Sequence, residues 1–135
     1  PPSLGVLTVN AFTFATDILI PTTAGIFATA GISQLSETVK SVQKYCNANV
    51  KISGILFTRF NPRANISKQI KEVAEKLGKY IDAPIYNTYI RAAVAVEEAQ
   101  ANQQNIYSYA SKSTVAEDYK SFIKEFLTKE SITNE

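Results

Sequence analysis

Histidine and methionine are absent from the 135 residues, and cysteine occurs once, at Cys46. Without histidine the chain lacks the usual general base and the commonest metal ligand. With a single cysteine as well, the composition argues against transition-metal centres and against Ser-His or Cys-His hydrolases. One cysteine also excludes an internal disulfide and fits a reducing interior. Because Cys46 falls near the end of an apolar-periodic helix, we predict that it is a small buried hydrophobe.

Long apolar runs and an excess of one charge are also missing. No run approaches the roughly 20 residues that cross a bilayer, and no signal peptide is visible, so the sequence predicts a cytoplasmic protein without a membrane role. Net charge is +2, from 14 basic and 12 acidic residues, which does not by itself indicate nucleic-acid binding. Because translation starts with methionine, we expect the chain to be part of a longer polypeptide.

Phosphate-binding loops are absent too. Neither GxGxxG nor GxxxxGK[ST] occurs, and the five glycines are scattered. Glu97 and Glu98 are adjacent on a predicted helix, hence on different faces, which favours a solvated pair over a general acid and base. We therefore predict no catalytic residue, and no ATP turnover by this chain alone.

What the chain does contain is an alternation of helices and strands. Apolar spacing predicts helices at 4–15, 28–45, 65–77, 92–101 and 114–127, and strands at 17–20, 50–58 and 84–90. Such alternation implies right-handed crossovers and a three-layer α/β fold, a mostly parallel sheet with helices on both faces. With three strands the sheet looks incomplete, as expected if the N-terminal strands lie elsewhere. We assign 1–127 to one domain portion and 128–135 to a polar tail.

Several boundaries rest on single residues. Pro21 is predicted to end the first strand, because a proline cannot continue a central strand. Asn65 is a candidate N-cap and Gly78 a left-handed C-cap of the same helix. Thr114 and Glu117 have the form of a capping box. The predicted core faces of the third and last helices are Ile66, Ile70, Val73, Ala74 and Leu77, and Val115, Tyr119, Phe122, Ile123, Phe126 and Leu127.

Five segments in unbroken order resemble the ParA/Soj family of partition ATPases. They are PPSLGVLTVNA, TDILIPTTAGIFATAGISQL, KISGILFTRFNPRANISKQI, YIRAAVAVEEAQ and YASKSTVAEDYKSF, which together run from residue 1 to about 127. The NPR loop and the IRAAVAVEEAQ segment are closest to variants carried by plasmids and conjugative elements. The resemblance identifies the chain as similar to the C-terminal part of such an ATPase, with a P-loop NTPase-like fold.

The resemblance implies functions for the longer protein. Members of this family carry a deviant Walker A motif, KGGxGKT, bind ATP and Mg, and dimerise around two nucleotides. They bind DNA without sequence preference, associate with the nucleoid, and are stimulated by a ParB-like centromere-binding partner. Pro1 and Pro2 correspond to the tail of the second switch; the Walker A motif and the switch aspartate would lie upstream of them.

Positions matching the family's nucleotide pocket follow two of the predicted strands. Thr58 and Arg59 match the strand end that faces adenine, and Ile90 and Arg91 match the segment beside the base. The family's Pro-Arg pair is replaced here by Arg91-Ala92, which displaces the arginine by one position. The loop from Thr22 to Ile26 lacks the family's usual Gln, Glu and Tyr.

Two basic groups are candidates for DNA contact. Arg63 and Lys68, with Arg59 and Lys71, cluster at a loop and the start of a helix; the alternative is an ordinary solvated helix. Lys120 and Lys124, with Lys129, line the last helix, but acidic neighbours dilute that face and favour simple solvation. The apolar stripe of that helix is predicted to pack on the sheet rather than to anchor in a membrane.

Three functions remain open at this point. The first is the C-terminal part of a partition ATPase, inactive alone. The second is a non-catalytic ParA-like module that regulates an ATPase through interaction. The third is a related ATPase serving conjugation or septum placement. For the chain by itself, an uncovered sheet predicts self-association or poor solubility.

Overall fold

The computed structural model describes residues 5–25 and 28–133, without the side chains of 28, 29, 66–68, 77 and 130–133. Its elements are α1 (Val6–Phe14), β1 (Asp17–Thr23), α2 (Ala28–Tyr45), β2 (Lys51–Thr58), α3 (Asn65–Tyr80), α4 (Val94–Ala101), α5 (Ile106–Tyr109) and α6 (Thr114–Thr133). The predicted α2 and β2 are confirmed almost to the residue. The last helix extends to Thr133, through most of the stretch predicted as a polar tail.

The sheet is parallel, as predicted. β1 pairs with β2 from Asp17↔Lys51 to Thr23↔Thr58, with a register shift between Ile18 and Leu19. On the other edge of β2 runs an extended segment, residues 84–91, joined by the bridges Ile55↔Ile85 and Phe60↔Arg91. β2 is therefore the central element of the sheet that the described residues form.

The apolar core lies on both faces of this sheet. On one face, α1 and α2 pack with Ile18, Ile20 and Ile55, and α3 packs with Phe57. On the other face, α4, α5 and α6 pack with Leu56 and Tyr86. The three-layer α/β prediction is confirmed, and the alternation of side chains along β2 produces it.

Gly54 meets a steric demand in the middle of β2. Its φ of +153° is one that side-chain-bearing residues rarely adopt, and a Cβ there would lie 2.6 Å from Tyr86 Cε2 and 2.8 Å from the Pro84 carbonyl oxygen. This glycine lets the 84–91 segment approach β2 closely.

The prediction that Pro21 ends the first strand is wrong. Pro21 is exposed, lies inside β1 and is in register with Leu56. Within residues 5–25 and 28–133, β1 has a strand neighbour on one side alone, and an edge position tolerates the missing N–H of proline.

The prediction of a regular strand at 84–90 is also wrong, because this segment is extended but has only isolated bridges to its neighbour. The segment forms separate hydrogen bonds to β2, for example from Tyr86 N–H to the Ile55 carbonyl and from Ile90 N–H to the Phe57 carbonyl. These bonds do not form a continuous ladder. Between these points the N–H groups of Asn87 and Thr88 donate to the Glu125 carboxylate of α6 instead, each at 2.8 Å. A side chain has taken the place of a strand partner.

Helix ends account for further differences. Gly78 lies inside α3 rather than at a left-handed cap, and a Cβ there would lie 2.5 Å from the Ala83 carbonyl oxygen. Asn65 is the first residue of α3 rather than its cap. The side chain that caps α6 is Ser113, whose Oγ accepts from Ala116 N–H at 3.3 Å. The loop predicted after residue 101 contains the short helix α5, capped by Asn105.

Several burial predictions are wrong as well. Cys46 is exposed. Val73 of α3 and Ile123 and Leu127 of α6 are each about half exposed, although Ile70, Ala74 and Val115 are buried as predicted. Ile66 and Leu77 have side chains outside the described set. On each helix the set of buried residues is smaller than the set of apolar residues, because apolar side chains also occupy much of a protein's surface.

Candidate functional site

A cavity of about 200 Å³ opens at the C-terminal end of β2. Its walls come from the end of β2 (Thr58, Arg59), from residues 90–93, from α4 (Val96, Glu97, Gln100) and from Tyr119 of α6. The structure thus brings together all four predicted nucleotide residues, Thr58, Arg59, Ile90 and Arg91. This is the edge of a parallel sheet at which α/β proteins bind ligands.

The β2 end of the cavity is shaped by an unusual backbone. Arg59 has a φ of 50°, which places a non-glycine residue in the left-handed region. The next residue is fixed, because Phe60 N–H donates to the Ile90 carbonyl at 3.0 Å and its ring packs on Tyr89 at 4.9 Å. The sharp turn leaves Arg59 exposed at the cavity rim.

Arg91 is held by Asp118 of α6. The Arg91 Nη2–Asp118 Oδ1 distance is 2.7 Å and the Nε–Oδ2 distance is 2.8 Å, while the backbone N–H of Arg91 donates to Oδ2 at 3.1 Å. Nη2 also donates to the Thr114 carbonyl oxygen at 3.1 Å. Burial alone would raise the pKa of Asp118, but these hydrogen bonds from Arg91 outweigh it and hold that pKa below its usual value.

Glu125 holds the same segment two helical turns further along α6. Besides accepting from the backbone of Asn87 and Thr88, its Oε1 lies 3.5 Å from Lys129 Nζ. Burial raises the pKa of Glu125, but hydrogen bonds from Asn87 and Thr88 and the charge of Lys129 lower it, so the net shift is downward. Composition and periodicity did not single out either carboxylate; their seven-residue spacing on a predicted helix was the available signal.

A second cavity, of about 420 Å³, adjoins the first. Arg91 and Ala92 line both, and Asn61, Arg63 and Tyr89 complete much of its wall. Arg63 is exposed, and its N–H donates to Asn61 Oδ1 at 3.1 Å, a local turn that orients this loop.

The predicted DNA-contacting residues belong to different elements of the chain. Arg63 lies at the second cavity, whereas Lys120 and Lys124 are exposed on α6. Lys120 is paired with Glu117 at 2.8 Å, and the hydrogen bond to Glu117 raises the lysine pKa. The side chain of Lys68 lies outside the described set, and Pro1, Pro2 and Ile26 lie outside the described residues altogether.

A third cavity shares no lining residue with the first two. This cavity of about 590 Å³ lies beside α3 and residues 82–87, with Lys71, Lys79, Glu75 and Asp82 balancing in charge. No group of three or more acidic, His or Cys side chains in the described ranges is arranged to hold a metal ion. No helix in those ranges is long and apolar enough to cross a membrane.

Sequence comparison connects the chain with partition proteins. A family model described as an AAA domain matches residues 1–52. The sporulation initiation inhibitor protein Soj of Bacillus subtilis (strain 168) is 38% identical over 93% of this chain and 48% of its own length. The chromosome partitioning protein ParA of Myxococcus xanthus (strain DK1622) is 34% identical over 96% of this chain and 45% of its own length. The chain spans about half the length of these curated relatives.

Structure comparison finds a similar fold in a solved enzyme with another name. A cobyrinic acid a,c-diamide synthase from Mycobacterium smegmatis matches with a TM-score of 0.68 and 28% identity, over 90% of this chain and 42% of that one. The same enzyme solved with an ATP analog and magnesium matches with a TM-score of 0.51 and 36% identity, over 56% of this chain and 31% of that one.

Proposed function

This chain belongs to the ParA/Soj family of partition ATPases, and we propose that it supplies the base-binding side of an ATP site in a protein that segregates plasmids or chromosomes. One observation carries the proposal: Thr58, Arg59, Ile90 and Arg91, singled out from the sequence, line a single cavity at the ligand-binding edge of the sheet.

The cavity suits a base better than a whole nucleotide. Its volume of about 200 Å³ is below the roughly 300–1,000 Å³ of complete small-molecule sites. Ile90, Ala93 and Val96 give it apolar walls. The backbone N–H groups of Ala92 and Ala93 have no hydrogen-bond partner among the described residues. The ring nitrogens of a base could accept hydrogen bonds from them.

Phosphate and magnesium would be held by other residues. The sequence has no glycine-rich loop to wrap N–H groups around phosphate, so that grip would come from a KGGxGKT segment outside these 135 residues. ATP, when bound, supplies a phosphoanhydride bond whose hydrolysis resets the partition cycle. The residues of this chain bind and orient the adenine and exclude water from its faces.

The proposal is tested by titrating the chain with adenosine, AMP and ATP, followed by amide chemical shifts. Because the base pocket alone contributes, we expect the three affinities to agree within about threefold. The shifts should map to residues 58–59 and 90–96. Equal binding of guanosine, or shifts that map elsewhere, would contradict the proposal.

A matched pair of variants sharpens this test. Val96→Phe puts a ring into the cavity and should abolish adenosine binding, since Val96 lines it. Val94→Phe makes the same change on the same helix at a side chain that is 68% exposed and outside the cavity lining, and should bind normally. Loss of binding in both variants would point to a general disturbance of α4 instead.

DNA binding, homodimerisation and a ParB-like partner belong to the same proposal. Arg59 and Arg63 are exposed beside the two cavities, and we place the basic edge there rather than on α6, where Glu117 neutralises Lys120. If each arginine meets one phosphate, Arg63→Ala should reduce the salt dependence of DNA affinity by about one power of salt concentration. If the salt dependence of DNA affinity is unchanged in this variant, Arg63 does not contact DNA phosphate.

A second candidate function is that of a non-catalytic module that binds partners of a partition system. It predicts binding to a ParB-like protein or to DNA by this chain without nucleotide. The base-pocket proposal instead predicts that the adenosine titration succeeds.

A further inference from the structure

The 87–91 segment is attached to α6 by two carboxylates rather than by a strand ladder. Asp118 and Glu125 are seven residues apart, so they stand two turns, about 10.5 Å, apart along one face of the helix. Their backbone partners, Asn87 and Thr88 at one end and Arg91 at the other, are three to four residues apart, about 10–13 Å in extended chain. The two spacings match, so one helix face holds both ends of the segment.

The two attachments differ in what they hold. Glu125 holds backbone N–H groups of residues that do not line the cavity at the β2 end. Asp118 holds both the backbone and the guanidinium of Arg91, and Arg91 lines that cavity. The Asp118 side chain is 12% exposed against 41% for Arg91, so the carboxylate is the fixed partner of the pair.

Arg91 also separates two spaces. It lines the 200 Å³ cavity and the adjoining 420 Å³ cavity, and Ala92 is the other residue common to both linings. With three donors of Arg91 on Asp118 and another contact to the Thr114 carbonyl, the guanidinium is turned toward α6 and is not free to move over a bound base.

We propose that Asp118 is a positioning residue of the base pocket: through Arg91 it fixes residues 90–93 as the wall that separates the two cavities and faces the base. This rests on the proposed function, since it names the residue that shapes that same site. Asp118 itself does not line the cavity.

The test compares Asp118→Asn with Glu125→Gln by adenosine titration and by urea unfolding. Each variant removes one carboxylate charge from the same face of α6, and we expect similar drops in the urea midpoint. Adenosine affinity should fall by about tenfold in Asp118→Asn, as for a lost charge-assisted contact, and by less than about twofold in Glu125→Gln. A purely structural role would move both affinities together.

The outcomes separate the two proposals. Unchanged affinity in Asp118→Asn, or equal losses in both variants, overturns the role of Asp118 and leaves the pocket in place. No adenosine binding by the unaltered chain overturns the pocket, and the inference with it. If Asp118→Asn does not fold, Asp118→Glu keeps the charge but lengthens the side chain by one methylene, and unchanged affinity there again overturns the inference.

Discussion

Gly54 shows how much one residue can decide in this sheet. Its left-handed φ and the 2.6 Å distance from a Cβ to the Tyr86 ring mean that any side chain would strain the backbone and push the 84–91 segment away. Gly54→Ala should therefore lower the free energy of unfolding by about 1–3 kcal/mol. Urea unfolding measures this.

Gly31 provides the matched control for that substitution. It lies in α2, where an added Cβ meets nothing within 4 Å, so Gly31→Ala should stabilise the protein by about 0.5–1 kcal/mol. Effects of the same sign in the two variants would contradict the steric account of Gly54.

Cys46 was predicted to be buried and is exposed just beyond α2. We expect a water-soluble thiol reagent to modify it completely under native conditions, as followed by mass spectrometry. Protection until denaturant is added would contradict the structure. Periodicity placed Cys46 on the apolar stripe of α2, but the helix ends at Tyr45 and the stripe ends with it.

At the scale of elements, helices whose apolar stripe exceeds two turns were predictable. α2, α3 and α6 were located by periodicity, and β2 by its β-branched and apolar composition. The segment at 84–90 was not, because its composition is that of a strand while the N–H groups of Asn87 and Thr88 donate to Glu125, 38 and 37 positions away. Competition from a distant side chain leaves no local signal.

The α6 carboxylates predict how stability responds to acid. The folded pKa values of Asp118 and Glu125 lie below the ordinary 3.8 and 4.5, so their contribution is complete above those values and is lost as pH falls through the lower folded pKa values. Glu125→Gln should lower the free energy of unfolding at pH 7 by about 1 kcal/mol and flatten its decline below about pH 4.5. Denaturation at pH 7, 5, 4 and 3 tests this; a decline as steep as in the unaltered chain would contradict it.

At the scale of the whole molecule, the three-layer order was foreseen from the alternation of helices and strands. The family resemblance singled out four residues that line one cavity, and their role in binding a base remains a prediction. The Asp118–Arg91 pair was not foreseen, because the seven-residue spacing places Asp118 and Glu125 on one face of α6 but does not say which residues they contact. Glu117, its neighbour in sequence, points to solvent and pairs with Lys120.

The outer face of α1 predicts self-association of the isolated chain. Val6, Leu7 and Phe14 are 75%, 76% and 89% exposed, on a helix whose apolar residues are not confined to one face. We expect Leu7→Ser with Phe14→Ser to lower the sedimentation coefficient at micromolar concentration. Tyr45→Ser, at a 74% exposed site on another helix, is the control and should leave it unchanged. A monomeric unaltered chain would contradict the prediction.

Three consecutive residues of β2 reach three different apolar clusters: Ile55 packs with α1 and α2, Leu56 with α4 and α6, and Phe57 with α3. Loss of one helix layer would therefore expose a β2 residue whose neighbour in sequence contacts the other layer. Because adjacent residues of one strand support the helices on both faces, we expect the two helix layers to unfold in a single cooperative transition.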